Sequence, residues 1–244
     1  MTQAPSPSQS QELEPLVLIP GMMSDARIFA PQLQAFSGFL PVMIAPPIGG
    51  DTVEGVVAQM MPQLPLRFAL VGLGLGAVVA MEVLRRDPTR VARLCLMSAS
   101  AQADPPGQSS EREPHIIGAR TGRLVEAVRS VIEPDLLAPA SNRMELVQSL
   151  VDMGLDLGPE VFVAQSRMMQ RRGDMQSALR RCAGPGLVLR GTYDRVVPQK
   201  RQEFIGSLLP RGQVVDIPHA AHLPTLENAE AVNQALAHWL SLPV

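Results

Sequence analysis

Five residues in the first third of the chain, Gly72-Leu73-Gly74-Leu75-Gly76, follow an apolar run and precede a stretch with helical spacing. A strand, a glycine-rich turn and a helix in that order serve two kinds of chemistry. In one, the turn and the helix N-terminus hold a phosphate. In the other, the turn lifts a nucleophilic side chain above the sheet, as in the G-x-S-x-G elbow. Gly72-x-Gly74-x-x-Ala77 satisfies the dinucleotide pattern G-x-G-x-x-G/A. That pattern also needs an acidic residue roughly 20 residues on for the ribose hydroxyls, and the next apolar run ends in Leu96-Met97-Ser98 instead. Two strand-like runs already precede the turn, whereas a dinucleotide fold usually opens with it. Read as an elbow, Gly72 and Gly76 fill the small flanking positions and Gly74 fills the nucleophile's own, leaving no side chain to attack.

Proton-handling groups stand far away in sequence. Asp194 closes Gly-Thr-Tyr-Asp after the run 186–191, and His222 lies in the loop after the run 213–218. An imidazole shuttles protons near neutral pH, and a carboxylate beside it fixes its tautomer and stabilises its charged form. Both stand just past strand ends, where open α/β sheets place their sites. Taken singly, Asp194 also reads as a turn residue and His222 as a loop histidine bonded to backbone. His219 reads as a partly exposed loop residue, His115 as a surface residue within reach of a substrate, and His238 as structural. Ser98 and Ser100, at the end of the adjacent strand, either cap the loop or substitute as nucleophile. Met144, Met153, Met168, Met169 and Met175 either line an adaptable roof or pack in a core.

The elements that must position these groups are legible in the pattern. Continuous apolar runs at 15–20, 40–46, 68–73, 92–100 and 186–191, with a weaker one at 213–218, read as strands of a buried parallel sheet. Helical spacing fills 24–36 after Ser24 or Asp25, the stretch after a capping Asp51, then 76–87, 201–209 and 228–240. Strands alternating with helices predict an α/β fold, helices on both faces of a mostly parallel sheet. From 104 to 183 the alternation gives way to helices and loops. The expected organisation is a loose tail at 1–14, a core at 15–103 and 184–244, and a helical cap at 104–183.

Four stretches, LIPGMMSDARIF, VGLGLGAVVAMEVLRR, GTYDRVVP and IPHAAHLPTLEN, resemble in order the signature regions of the α/β-hydrolase superfamily. They are most similar to small bacterial members whose first loop reads Pro-Gly rather than His-Gly. The likeness runs over nearly the whole chain from 15 to 240, including GPEVFVAQSRMMQRR. It implies the α/β-hydrolase fold with a helical cap insertion. It also implies Asp194 as triad acid, His222 as base, and an oxyanion hole from the backbone N–H groups of Met22 and Leu75. His219 departs from the small residue usual there, and Gly74 stands where the family carries its nucleophilic serine.

Composition narrows the partners. A net charge of −2 and 3% aromatic residues give no basis for nucleic-acid binding. The apolar run 68–81 is shorter than the roughly 20 residues of a membrane span. The opening residues lack a signal peptide's basic start and apolar segment, and a cytoplasmic protein is expected. Cys95 and Cys182 make no disulfide framework or metal spacing, so no cofactor or metal is expected. The partner expected is a small molecule under the cap. Three functions fit: a hydrolase of a small ester, amide or related carbonyl compound whose nucleophile has been replaced; an Asp194–His222 general-base enzyme that needs no serine; and a pseudoenzyme that binds a small ligand.

Overall fold

The computed structural model describes residues 14–133, 136–140 and 142–244. The tail expected at 1–14 thus lies, but for Glu14, outside the described residues.

Strand β1 (Leu16–Ile19) leads through α1 (Ala30–Phe36) to β2 (Val42–Ile44), and α2 (Val53–Met60) leads to β3 (Phe68–Leu73). Helix α3 (Leu75–Arg86) and β4 (Val91–Met97) follow. Among the described residues, α4 (Pro106–Glu111), α5 (Glu113–Arg120), α6 (Leu124–Val131), α7 (Arg143–Arg171) and α8 (Gln176–Leu179) then intervene. Strand β5 (Gly186–Gly191), α9 (Gln199–Leu208), β6 (Gly212–Ile217), α10 (Pro224–Glu227) and α11 (Ala229–Ser241) complete the chain.

The six strands form one wholly parallel sheet in the order β2-β1-β3-β4-β5-β6. Every residue of β1, β3, β4 and β5 is buried, while the edge strands β2 and β6 are more exposed. That is why the four inner strands read as unbroken apolar runs. Alternate residues feed opposite faces. Leu16, Leu18, Ala69 and Val71 pack with α1, α11 and the inserted helices, whereas Val17, Ile19, Phe68 and Leu70 pack with α2, α3 and α9. Cys95 and Cys182 are buried in these cores, and burial raises both thiols, Cys182 to about 11.

The topology creates the crevice. From β1 the chain goes to β2 on one side, then crosses back to β3 on the other. Such a reversal leaves the loops after the two strands to diverge, opening a cleft at their carboxyl ends. The loop from Pro20 and the turn at Gly74 stand there.

Some local expectations are corrected. Thr52, not Asp51, caps α2, its hydroxyl accepting from Gly55 N–H at 3.2 Å. Asp51 pairs with Arg171 at 2.6 Å. Asp25 rather than Ser24 caps the first helical turn, at Ala26–Phe29. Strand β4 stops at Met97 because Ser98 turns left-handed, φ 51°. Helix α7 breaks at Gly158, φ 84°, where Pro159 follows and offers no N–H.

Candidate active site

Gly74 joins β3 to α3 with φ 55° and ψ −114°, a left-handed bend that a residue with a Cβ adopts only under strain. Its N–H donates to Met97 O at 2.9 Å, and its carbonyl accepts from Ala77 and Val78. The flanking glycines let the helix press on the sheet. A Cβ on Gly76 would lie 2.0 Å from Ile19 O, and one on Gly72 would lie 2.4 Å from Gly76 O.

Asp194 follows β5 in a turn closed by its N–H to Gly191 O. Its side chain is fully buried. One oxygen accepts from Val196 N–H at 2.9 Å and Val197 N–H at 3.1 Å, and the other from Gln202 Nε2 at 3.2 Å. His222 Nδ1 lies 3.3 Å from both oxygens. Burial pushes this carboxyl up, but the His222 contact and the two N–H groups outweigh it and hold the group below its usual value.

His222 arrives on the loop after β6. Its N–H donates to Leu136 O at 3.2 Å, which ties the loop to the inserted segment. Glu227 clamps the loop on both sides of the histidine: one oxygen accepts from Ala221 N–H at 3.0 Å and Leu223 N–H at 2.8 Å, the other from Ala138 N–H at 2.6 Å. Burial raises the Glu227 carboxyl above its ordinary value despite these bonds.

The three sequence-distant positions meet. A Cβ built on Gly74 would lie 3.7 Å from His222 Nε2 and 4.0 Å from Gly21 Cα, the nearest atoms among the described residues beyond its chain neighbours. Gly74 and His222 line a cavity of about 420 Å³. Met22 and Leu75 line it. Leu75 opens α3, so its N–H is one of the helix's orphan donors. Next to Met22, Met23 is left-handed at φ 51°, and its N–H donates to Gln165 Oε1 of α7 at 2.8 Å.

The other candidates separate. Ser98 and Ser100 both line the cavity; Ser100 caps its loop by accepting from Gln102 N–H at 3.2 Å, whereas the buried Ser98 hydroxyl has no partner among the described residues. His115, His219 and His238 are exposed, and none lines the cavity. Of the five methionines only Met169 lines it. Met144 is exposed, and Met153, Met168 and Met175 pack in the core. Gln165, Gln202 and Glu227 were missed. Their one shared signal is a polar residue inside an apolar helical pattern, too common to single them out.

Comparison with known proteins agrees with this architecture. The model of the alpha/beta hydrolase family matches residues 16–235, and the chain belongs to that family. Among its relatives is the pimeloyl-[acyl-carrier protein] methyl ester esterase of Yersinia enterocolitica, 26% identical over 78% of this chain and 76% of that protein. The protein of the same name from Aromatoleum aromaticum is 23% identical over 87% of each. Among solved structures, a thermophilic esterase from Thermogutta terrifontis superposes with a TM-score of 0.83 at 26% identity, over 93% of this chain and 89% of that one. MenH from S. aureus, at 16% identity, shares the fold with a TM-score of 0.82 over 96% of this chain and 95% of that one.

Proposed function

We propose that this protein hydrolyses a small ester, amide or related carbonyl compound by direct attack of water, without an acyl-enzyme. His222 is the base, Asp194 its orienting carboxylate, and the Met22 and Leu75 N–H groups the oxyanion donors. Helices α4–α8 act as a cap over the substrate. The observation that carries this reading is a distance: a Cβ at Gly74 would lie 3.7 Å from His222 Nε2, in ordinary van der Waals contact and with no atom crowding it. A water oxygen standing where a serine hydroxyl would stand is within hydrogen-bond reach of Nε2.

His222 Nε2 takes one proton from that water as its oxygen bonds to the carbonyl carbon. The carbonyl oxygen becomes an oxyanion held by two backbone donors, and Asp194 stabilises the imidazolium. Collapse breaks the bond to the alkoxide or amine, which leaves with the proton from Nε2. The relatives' names, which specify a methyl ester, support an ester as the first compound to try. A second reading, ligand binding without turnover, is favoured by one fact: glycine relieves the strain that a nucleophile at 74 would have to bear.

The test compares the protein with Gly74→Ser and His222→Ala on short-chain aryl esters, with fluorophosphonate labelling in parallel. Turnover by the glycine form, lost in His222→Ala and without labelling, is the expected result. The serine variant is expected to label and to run faster by about three orders of magnitude. No turnover by the glycine form removes water catalysis and leaves the binding reading.

A further inference from the structure

The cavity that holds His222 also carries an excess of positive charge and two hydrogen-bonding groups without partners. The Ser98 hydroxyl and the Arg112 Nε–H are buried and unpartnered among the described residues, and both residues line the cavity. Buried polar groups are nearly always hydrogen-bonded, so an orphan beside a cavity is a place where a water or a ligand atom completes the bond. Ser98 is 1% exposed. It directly follows Met97, whose carbonyl accepts the Gly74 N–H, so its hydroxyl belongs to the floor next to the elbow.

Arg112 belongs to a charge cluster that does not balance. Its Nη2 donates to Asp104 Oδ2 at 3.3 Å, while Arg172 donates through Nε to Asp104 Oδ1 at 3.2 Å and through Nη1 to Ser100 O at 3.1 Å. One carboxylate thus serves two guanidiniums, with side-chain exposures of 3% for Asp104, 6% for Arg172 and 19% for Arg112. A buried net charge of one is costly until a counter-charge joins it. Arg195 and Arg201 also line the cavity and have no ion-pair partner among the described residues, against the single exposed carboxylate of Glu133.

We infer that Ser98 and Arg112 form an anion subsite and that the ligand of this cavity carries a carboxylate in addition to its reacting carbonyl. A carboxylate fits both counts. It brings one negative charge to a cluster with one positive charge in excess, and its oxygens are the acceptors that a hydroxyl and a guanidinium N–H both lack here. This deepens the hydrolytic reading and rests on it for the identity of the reacting group.

Calorimetric titration with 6-oxoheptanoate and with 2,7-octanedione tests it. The two differ only in a carboxylate against a methyl ketone, and neither is an ester. The carboxylate is expected to bind roughly ten-fold tighter or better, the worth of a hydrogen bond to a charged group. Ser98→Ala and Arg112→Lys, each shown folded by circular dichroism, are expected to remove most of that preference; the lysine keeps the charge beside Asp104 and loses the Nε donor. Equal affinities, no carboxylate binding at millimolar concentration, or a preference that survives intact in both variants overturns the inference. Carboxylate selectivity in a protein that hydrolyses no ester leaves the inference standing and removes the hydrolytic reading. Ester turnover without selectivity does the reverse.

Discussion

A side chain at position 74 would sit on a backbone at φ 55° and ψ −114°, so introducing a serine there carries an energetic cost. Gly74→Ser is expected to lose about 1–3 kcal/mol of stability to that strain, lowering the melting temperature by about 2–4 °C per kcal/mol. Thermal denaturation of the two forms checks it. Asp194 gives a second expectation at this scale. Its native pKa lies below its unfolded value of about 3.9. The stabilisation is therefore present above that value and lost as pH falls through the native one. Asp194→Asn should be less stable than the parent at neutral pH, with the gap in urea midpoint narrowing below about pH 4.

Between elements, the elbow is built by close approach rather than by any special bond. The carbonyls of β1 and the first turn of α3 nearly touch, and Gly76 has no room for a methyl group beside Ile19 O. Gly76→Ala is expected to cost about 3 kcal/mol or more, because backbone has to move. Gly173→Ala, where a Cβ meets nothing within 4 Å, should stay within about 0.5 kcal/mol. Chemical denaturation of both separates a steric requirement from a general glycine effect. The break in α7 at Gly158 belongs to this scale too, since it redirects the helix whose Gln165 holds Met23.

Across the whole molecule, one carboxylate joins the two ends of the segment that carries α4–α7. Asp104, just past β4, receives Arg172, just past α7. Removing the carboxylate leaves a buried guanidinium unpaired, which costs about 3–5 kcal/mol. Asp104→Asn is expected to destabilise by that order and to expose the segment 104–172 to limited proteolysis before the rest of the chain. Uniform cleavage throughout the chain would show that the clasp does not hold the insertion separately.

The sequence alone determined the strand–helix alternation, the helical stretch between β4 and β5, and the absence of a side chain at Gly74. Each of these is local: burial on both faces forces continuous apolar runs, and a glycine shows its missing side chain wherever it stands. Thr52 replacing Asp51 as a cap, the break at Gly158, the Glu227 clamp around His222 and the orphaned Ser98 hydroxyl were decided only by the fold. Which of two neighbouring side chains reaches an N–H, which N–H groups surround a carboxylate and which hydroxyl is left without a partner all depend on how the backbone is placed, and no periodicity records that. The meeting of Gly74 with His222 is of the same kind. A parallel sheet sets their strand ends on one edge, but the 3.7 Å between a Cβ at 74 and Nε2 comes from loops packed against distant parts of the chain.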